Sequence, residues 1–309
     1  MLTALAGGVG AARFLAGLVR AVPPASVTAI VNTADDEEFH GLHVSPDLDS
    51  VTYTLAGASN TAQGWGLEGE TFATLAALAR FDVDTWFGLG DKDLATHLYR
   101  TQRLRAGASL STVTAEIARA WDVPVKLVPM TDDRVRTRVA VRDPDRELAM
   151  QEWFVRERAE PEVRSVRFEG AAAARPAPGV IDALTGADAV LICPSNPVIS
   201  IGPILAVPGI VEALRARRDR VVGISPIVGG APVRGPADRL MGPLGIEVSC
   251  VGVARAYTQF CGTLVIDAVD AHRAGEVEAA GVNAVVADTM MHSPEVAAAL
   301  ARRALAAVA

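Results

Sequence analysis

The residues best suited to chemistry fall in a few short clusters. The first is Gly7-Gly8-Val9-Gly10, set between an apolar run, Leu2 to Ala6, and an apolar helical stretch, Ala11 to Val19. Glycines there let backbone N–H groups approach an anion, and the helix N-terminus adds partial positive charge. The second is Asn32-Thr33-Ala34-Asp35-Asp36, directly after another apolar run, Val27 to Val31. The third is Ser45-Pro46-Asp47-Leu48-Asp49, opening a helical pattern. Carboxylates this close together suit a magnesium site, or a place to orient and deprotonate a hydroxyl. Helix capping and dipole compensation would account for one of Asp47 and Asp49. Together the clusters point to a nucleotide or diphosphate site beside carboxylates.

The glycine cluster alone does not fix the ligand. Phe14 and Leu15 stand where the last glycine of a dinucleotide fingerprint would fall, and no Lys-Ser or Lys-Thr follows as in a P-loop. Two more segments end expected strands, Pro194-Ser195-Asn196-Pro197 and Ser225-Pro226-Ile227-Val228-Gly229-Gly230. Strand C-termini of a parallel sheet share one edge, so all these loops should converge. Ser195, Asn196 and Ser200 offer hydrogen bonds to a base or ribose; Gly229 and Gly230 offer backbone approach to phosphates. Arg13, Lys92, Arg100 and Arg103 are candidate phosphate partners, and Trp65, Trp86 and Phe87 candidate stacking surfaces. Lys92, with Lys126 one of the chain's only lysines, sits between carboxylates in Gly90-Asp91-Lys92-Asp93. His40 and His43 lack an HExxH context, His97, His272 and His292 are isolated, and no GxSxG elbow occurs.

The elements that must position these residues alternate. Strands are expected at Leu2–Ala6, Val27–Val31, Thr85–Leu89, Ala187–Cys193, Val221–Ile224, Glu247–Val251, Leu264–Ile266 and Ala284–Val286. Helices are expected at Leu48–Ala56, Glu70–Ala79, from Asp93 to Arg103, from Ser111 to Trp121, at Ile204–Arg217 and at Pro294–Val308, the last capped by Ser293. Gly57 to Gly69 reads as a loop. Thr137–Val141, Glu147–Val155 and Val163–Phe168 make the stretch Val125–Gly170 a β-rich insertion, followed by an Ala/Pro-rich linker, Ala171 to Pro178. Alternation on this scale implies an α/β fold, a Rossmann-like doubly wound parallel sheet with inserted helical and β-rich segments, as one elaborated domain over 1–309.

Composition sets outer bounds. Half of the 309 residues are hydrophobic, enough for a large core. The net charge of −7 argues against a general nucleic-acid binder, so an anionic ligand needs local compensation. Cys193, Cys250 and Cys261 lack CxxC spacing and read as core residues in a reducing cytosol. No signal-like segment or bilayer-length apolar run is evident, so a cytoplasmic protein without membrane partners is expected, and its Ala/Val-rich helices would suit a homodimer.

Several blocks, in order over nearly the whole chain, resemble the 2-phospho-L-lactate transferase family of deazaflavin coenzyme (factor 420) biosynthesis. They are Ala6–Gly10, Val31–Asp36, Val44–Asp49, Trp86–Asp93, Leu127–Asp133, Gln151–Val155, Pro194–Leu205 and Ser225–Gly230. The resemblance implies magnesium-dependent transfer to the deazaflavin riboside FO from a lactyl- or enolpyruvyl-diphosphoguanosine donor, with release of GMP. It places Asp49 and Lys92 against FO. It places Gly7, Gly8, Gly10, Asn32, Ser195, Asn196, Gly229 and Gly230 against guanosine diphosphate, and Asp35, Asp36 and Asp47 as candidate Mg²⁺ ligands. Asp47 or Asp49 would orient or deprotonate the acceptor hydroxyl; the residues do not separate a base from a metal ligand. Val9 stands where a small polar residue is expected, which removes a hydroxyl and leaves the backbone role. The competing readings are a non-catalytic nucleotide-sugar-binding regulator and a nicotinamide-dependent oxidoreductase. The sequence leaves lactyl against enolpyruvyl open, since the two differ by two hydrogens.

Overall fold

The computed structural model describes residues 1–308. Seven strands form one all-parallel sheet: β1 (Leu2–Ala6), β2 (Val27–Val31), β3 (Lys126–Pro129), β4 (Ala189–Ile192), β5 (Val221–Ile224), β6 (Thr263–Asp267) and β7 (Asn283–Ala287). Their spatial order is 3-2-1-4-5-6-7. The order reverses between β1 and β4, whose register pairs Leu2 with Ala189 and Leu5 with Ile192. In an open parallel sheet that reversal leaves a crevice beyond the strand C-termini, where ligands bind.

Both sheet faces are covered, so the central strands are buried on both faces and predominantly apolar rather than alternating. Leu5, Ile30, Val128, Ile192 and Ile266 point to one core; Ala4, Ala6, Val31, Leu191, Ile224 and Val265 point to the other. The second face is covered by α1 (Gly8–Ala21) and by the C-terminal helix Pro294–Leu305. Ser293 caps that helix as expected, accepting from the Val296 N–H at 3.3 Å. The three cysteines are free and buried.

Several elements depart from the sequence reading, each for a local reason. Thr85–Leu89 joins no sheet: Phe87 stacks on Phe39 at 4.0 Å and Trp86 meets that ring edge-on, so aromatic packing rather than strand pairing holds the segment. Glu247–Val251 is not a strand either. Ser249 accepts from the Gly252 N–H at 3.1 Å and starts the helix Cys250–Tyr257. The stretch Ile204–Arg217 splits into Gly202–Ala206 and Ile210–Arg215 around Pro208, which cannot donate a helical hydrogen bond. The helix expected from Ser111 to Trp121 runs Leu110–Ala120 and is capped by Ser109. Within the expected β-rich stretch, Lys126–Pro129 belongs to the main sheet, and the antiparallel part comprises Arg136–Val141, Arg146–Ala149 and Val163–Glu169. The chain leaves the expected strand Glu147–Val155 at Ala149 and turns into a helical segment that buries Trp153, whose indole N–H donates to the Pro161 carbonyl at 3.1 Å. The presumed linker packs inward through Ala171, Ala174 and Ala177.

Candidate functional site

The crevice at the β1/β4 reversal is a cleft of about 610 Å³. Its floor includes Gly7, Gly8 and Gly10, Pro194 to Asn196, Ser200, Asp35, Asp47 and Asp49. Glycine is required for this closeness. A Cβ on Gly7 would lie 2.6 Å from the Ser200 Cβ and 3.1 Å from an Asp47 oxygen, and one on Gly10 would collide with the Pro194 carbonyl. The first turn of α1 has neither a side-chain cap nor an acidic residue, so beyond the Gly8 contact to Asp47 its N–H groups remain open to an anion.

Asp47 belongs to α2 (Pro46–Leu55) and stands beside that helix terminus. Asn32, fully buried under the floor, donates to it at 2.9 Å and to the Ile199 carbonyl at 3.3 Å, while its own oxygen accepts from the Ala34 N–H. Asn32 therefore positions Asp47 and does not line the cleft. Burial, with the Asp36 charge behind it, pushes the Asp47 carboxyl up to about 7 against the contacts from Asn32 and Gly8. Burial and then the Asp47 charge push Asp35 well above the carboxylate range. The Oδ1 atoms of Asp35 and Asp36 are buried without a hydrogen-bond partner.

Buried carboxylates that repel one another and have no counter-charge fit a hard divalent cation, which prefers oxygen ligands and commonly takes two carboxylates plus phosphate. Asp35 and Asp47 meet that description. Asp36 does not line the cleft, and its Oδ2 accepts from the Ser45 hydroxyl at 2.7 Å and lies 3.0 Å from His43 Nε2. Of the three expected ligands it is the one that stands behind the site.

Asp49 heads a second cluster. Arg100, on α3 (Asp93–Arg105) and 2 % exposed, pairs with both Asp49 oxygens. Arg100 is thus an internal counter-ion rather than the phosphate partner expected of it. His97 Nδ1 lies 3.3 Å from the Arg100 guanidinium and its Nε2 lies 3.1 Å from Asp93, while the Tyr53 hydroxyl donates to Asp93 at 2.5 Å. Burial raises Asp49 despite Arg100 and His97. Burial opposes the ionised form of Asp93 too, but His97, Tyr53 and Arg100 bring it below the usual range. Among the described residues, Asp49, Asp93 and His97 are the one trio of ligand-type side chains with donor atoms within 4.8 Å of one another. Arg100 already supplies the positive charge there, so the carboxylates without a cation are Asp35 and Asp47.

Other expectations separate. Ser195 lines the cleft, and its hydroxyl is buried without a partner. Asn196 lines it too, with its oxygen accepting from the Val198 and Ile199 N–H groups. Gly229 and Gly230 do not line the cleft. They form the two-residue turn between Ile227–Val228 and Ala231–Pro232, where φ of 58° and 78° calls for glycine. Lys92 is exposed and outside the cleft; its ammonium donates to the Glu68 carbonyl at 2.8 Å, tying down the end of the Gly57–Gly69 loop. Asp93 does not cap α3; the Glu70 carboxylate accepts from the Lys92 and Asp93 N–H groups instead. Arg103 pairs with Glu116. Trp65 and Phe87 line the cleft and Trp86 does not. Sequence reasoning missed Tyr53, Arg234 and Thr289 to His292, all on the lining. Asp267 fixes the last of these loops, accepting from the Thr289 N–H at 2.9 Å and its hydroxyl at 2.8 Å.

Residues 2–304 match the family model of the 2-phospho-L-lactate transferase CofD. The chain belongs to that family. Proteins named phosphoenolpyruvate transferase, from Streptomyces griseus and Nocardia farcinica, are 49 % and 46 % identical to it, each over 98 % of this chain and over 97 % and 93 % of their own lengths. A Mycolicibacterium smegmatis protein of the same name is 41 % identical over 98 % of this chain. A solved Bacillus halodurans protein of the UPF0052 family superposes with a TM-score of 0.64 over 98 % of both chains at 18 % identity, a likeness of fold. This CofD-family transferase thus carries its carboxylates and glycine loop where a doubly wound sheet places a ligand. Among its described residues no helix is long and apolar enough to cross a membrane.

Proposed function

We propose that the chain transfers a phosphoenolpyruvyl or phospholactyl group from a guanosine-diphosphate-activated donor to the terminal ribityl hydroxyl of FO. The hydroxyl oxygen bonds to the phosphorus carrying the acid, the bond from that phosphorus to the bridging oxygen breaks, and GMP leaves. The observation that carries this reading is the pair Asp35 and Asp47, buried without a counter-charge beside the open N-terminus of α1. Phosphoryl-type transfer needs positioning and charge neutralisation more than covalent chemistry.

Asp35 and Asp47 would hold Mg²⁺, which when bound neutralises phosphate charge and polarises the reacting phosphorus. The N–H groups of Val9 and Gly10 and the unpartnered Ser195 hydroxyl bind the diphosphate and ribose of the donor. Asp49, locked by Arg100 and facing the cleft, accepts a hydrogen bond from the acceptor hydroxyl and takes its proton as the new bond forms. Trp65, Phe87 and Phe154 give the same cleft an aromatic wall for a planar ring system. The relatives named phosphoenolpyruvate transferase favour the enolpyruvyl donor.

The test is incubation of the purified chain with FO, Mg²⁺ and each donor in turn, followed by mass spectrometry. A phosphodiester of FO with stoichiometric GMP, formed faster from the enolpyruvyl donor, is expected. Absence of product with either donor, in a protein that still binds guanine nucleotide or nucleotide sugar, would favour a binding regulator instead.

A further inference from the structure

The cleft has a charge problem that the residues so far described do not solve. Asp35, Asp47, Asp49 and Asp93 all line it, and the chain is acidic overall. A donor with a diphosphate and a carboxylate brings further negative charge to the same place. A divalent cation offsets the Asp35–Asp47 pair. Arg100 is spent on Asp49, and Lys92 is outside the cleft.

Two guanidiniums on the lining remain. Arg13 stands on α1 just after the glycine loop, and helical side chains lean toward the N-terminus of their helix, here toward the phosphate position. Arg234 stands on the lining as well, in the lip Val233-Arg234-Gly235-Pro236. Its guanidinium rests on Gly64 of the Gly57–Gly69 loop, and a Cβ on Gly64 would collide with it. Among the described residues, neither Arg13 nor Arg234 is in an ion pair or donates a hydrogen bond within the chain. By contrast Arg103, Arg136, Arg167 and Arg273 all have carboxylate partners. Exposed arginines that line a cleft and are bonded to nothing are free to recognise an anion, and a guanidinium matches phosphate or carboxylate with two parallel hydrogen bonds.

We propose that Arg13 and Arg234 form a clamp on the anionic chain of a nucleoside-diphosphate ester, Arg13 acting from the glycine-loop helix and Arg234 from the lip seated on Gly64. The proposal rests on the transferase reading for the identity of that ester. It assigns a binding role to Arg234, which sequence reasoning did not single out, and makes Gly64 the seat on which that guanidinium rests.

The experiment is titration calorimetry of GDP, with Mg²⁺ present, into the wild-type chain and into Arg13→Ala, Arg234→Ala and the two Arg→Lys variants. Guanosine serves as the uncharged control. Each alanine variant should bind GDP about 10-fold to 100-fold more weakly, as loss of charge-assisted hydrogen bonds requires, while guanosine binding stays level. Each lysine variant should recover part of the loss, because a point charge replaces a fork. Melting temperatures should change little, since neither arginine has a hydrogen-bond or ion-pair partner to lose. GDP affinity unchanged in both alanine variants overturns the clamp. So does an equal loss for GDP and guanosine, and so does a wild-type chain that binds no GDP. A clamp that behaves as expected in a chain that makes no FO product would refute the transferase reading alone.

Discussion

Replacing Asp47 by asparagine should stabilise the metal-free fold while disabling the site. Asp47 is 8 % exposed, and burial raises its carboxyl from 3.8 to about 7. A shift of about three units means the folded chain gives up about 4 kcal/mol to hold this group ionised above neutral pH. Between about pH 4 and 7 the folded state binds more protons at this site than the unfolded state does. The group's stabilising contribution is therefore complete below about pH 4 and is lost as pH rises through about 7. Asparagine removes the charge, keeps the shape and can still accept from Asn32, whose amide lies 2.9 Å away. Weakening that bond from charged to neutral returns about 1 kcal/mol. The net expectation is a gain of about 3 kcal/mol near pH 8, shrinking to nearly nothing near pH 4. At about 2 °C per kcal/mol for a chain of this size, thermal melts in EDTA should rise by about 6 °C near pH 8. Turnover with Mg²⁺ should fall about 100-fold or more, because a ligand to the charge-neutralising ion is lost. An Asp47→Asn variant no more stable than wild type near pH 8, or a difference that ignores pH, would refute the reasoning.

Further perturbations separate structural from functional residues. Arg100→Met leaves Asp49 buried without its counter-ion and should cost about 3–5 kcal/mol in urea denaturation, with Arg100→Met/Asp49→Asn recovering a large part; strictly additive costs would show that the pair is not coupled. Ser195→Ala removes a hydroxyl that has no partner in the fold, so stability should stay within about 0.5 kcal/mol while the KM for the donor rises; an unchanged KM would exclude the contact. Lys92→Ala cuts the tie to the Glu68 carbonyl and should raise proteolytic sensitivity within the Gly57–Gly69 loop together with the KM for FO. A higher KM with unchanged proteolysis would mean that Lys92 touches the acceptor directly.

The chemistry at the sheet edge was largely legible in the sequence because it lies directly after strands. Gly7 to Gly10 follows β1, Asp35 follows β2 and Ser195 follows β4, so parallel topology alone brings them together. What failed depended on partners distant in the chain. Gly229 and Gly230 also follow a strand, but they serve a hairpin turn, and glycine looks the same in a turn as at a phosphate. Arg100 read as a phosphate partner because its counter-ion Asp49 lies 51 residues away and only the fold sets them together. Arg234 gave no signal, since a lone arginine becomes meaningful only when the fold places it on the lining of the cleft. Thr85–Leu89 and Glu247–Val251 are short apolar runs whose periodicity cannot separate strand from helix or extended coil; aromatic packing decided one and the Ser249 cap the other.

The proposed chemistry turns on a cation between Asp35 and Asp47, with Asp49 and its arginine beside it as an internally neutralised partner. Crystals grown with GDP and Mn²⁺ test it most directly, through the anomalous difference map. The account predicts a peak within bonding distance of Asp35 and Asp47, with a phosphate oxygen completing the contact. A peak at Asp49, Asp93 and His97 instead, or full turnover in EDTA, would contradict it.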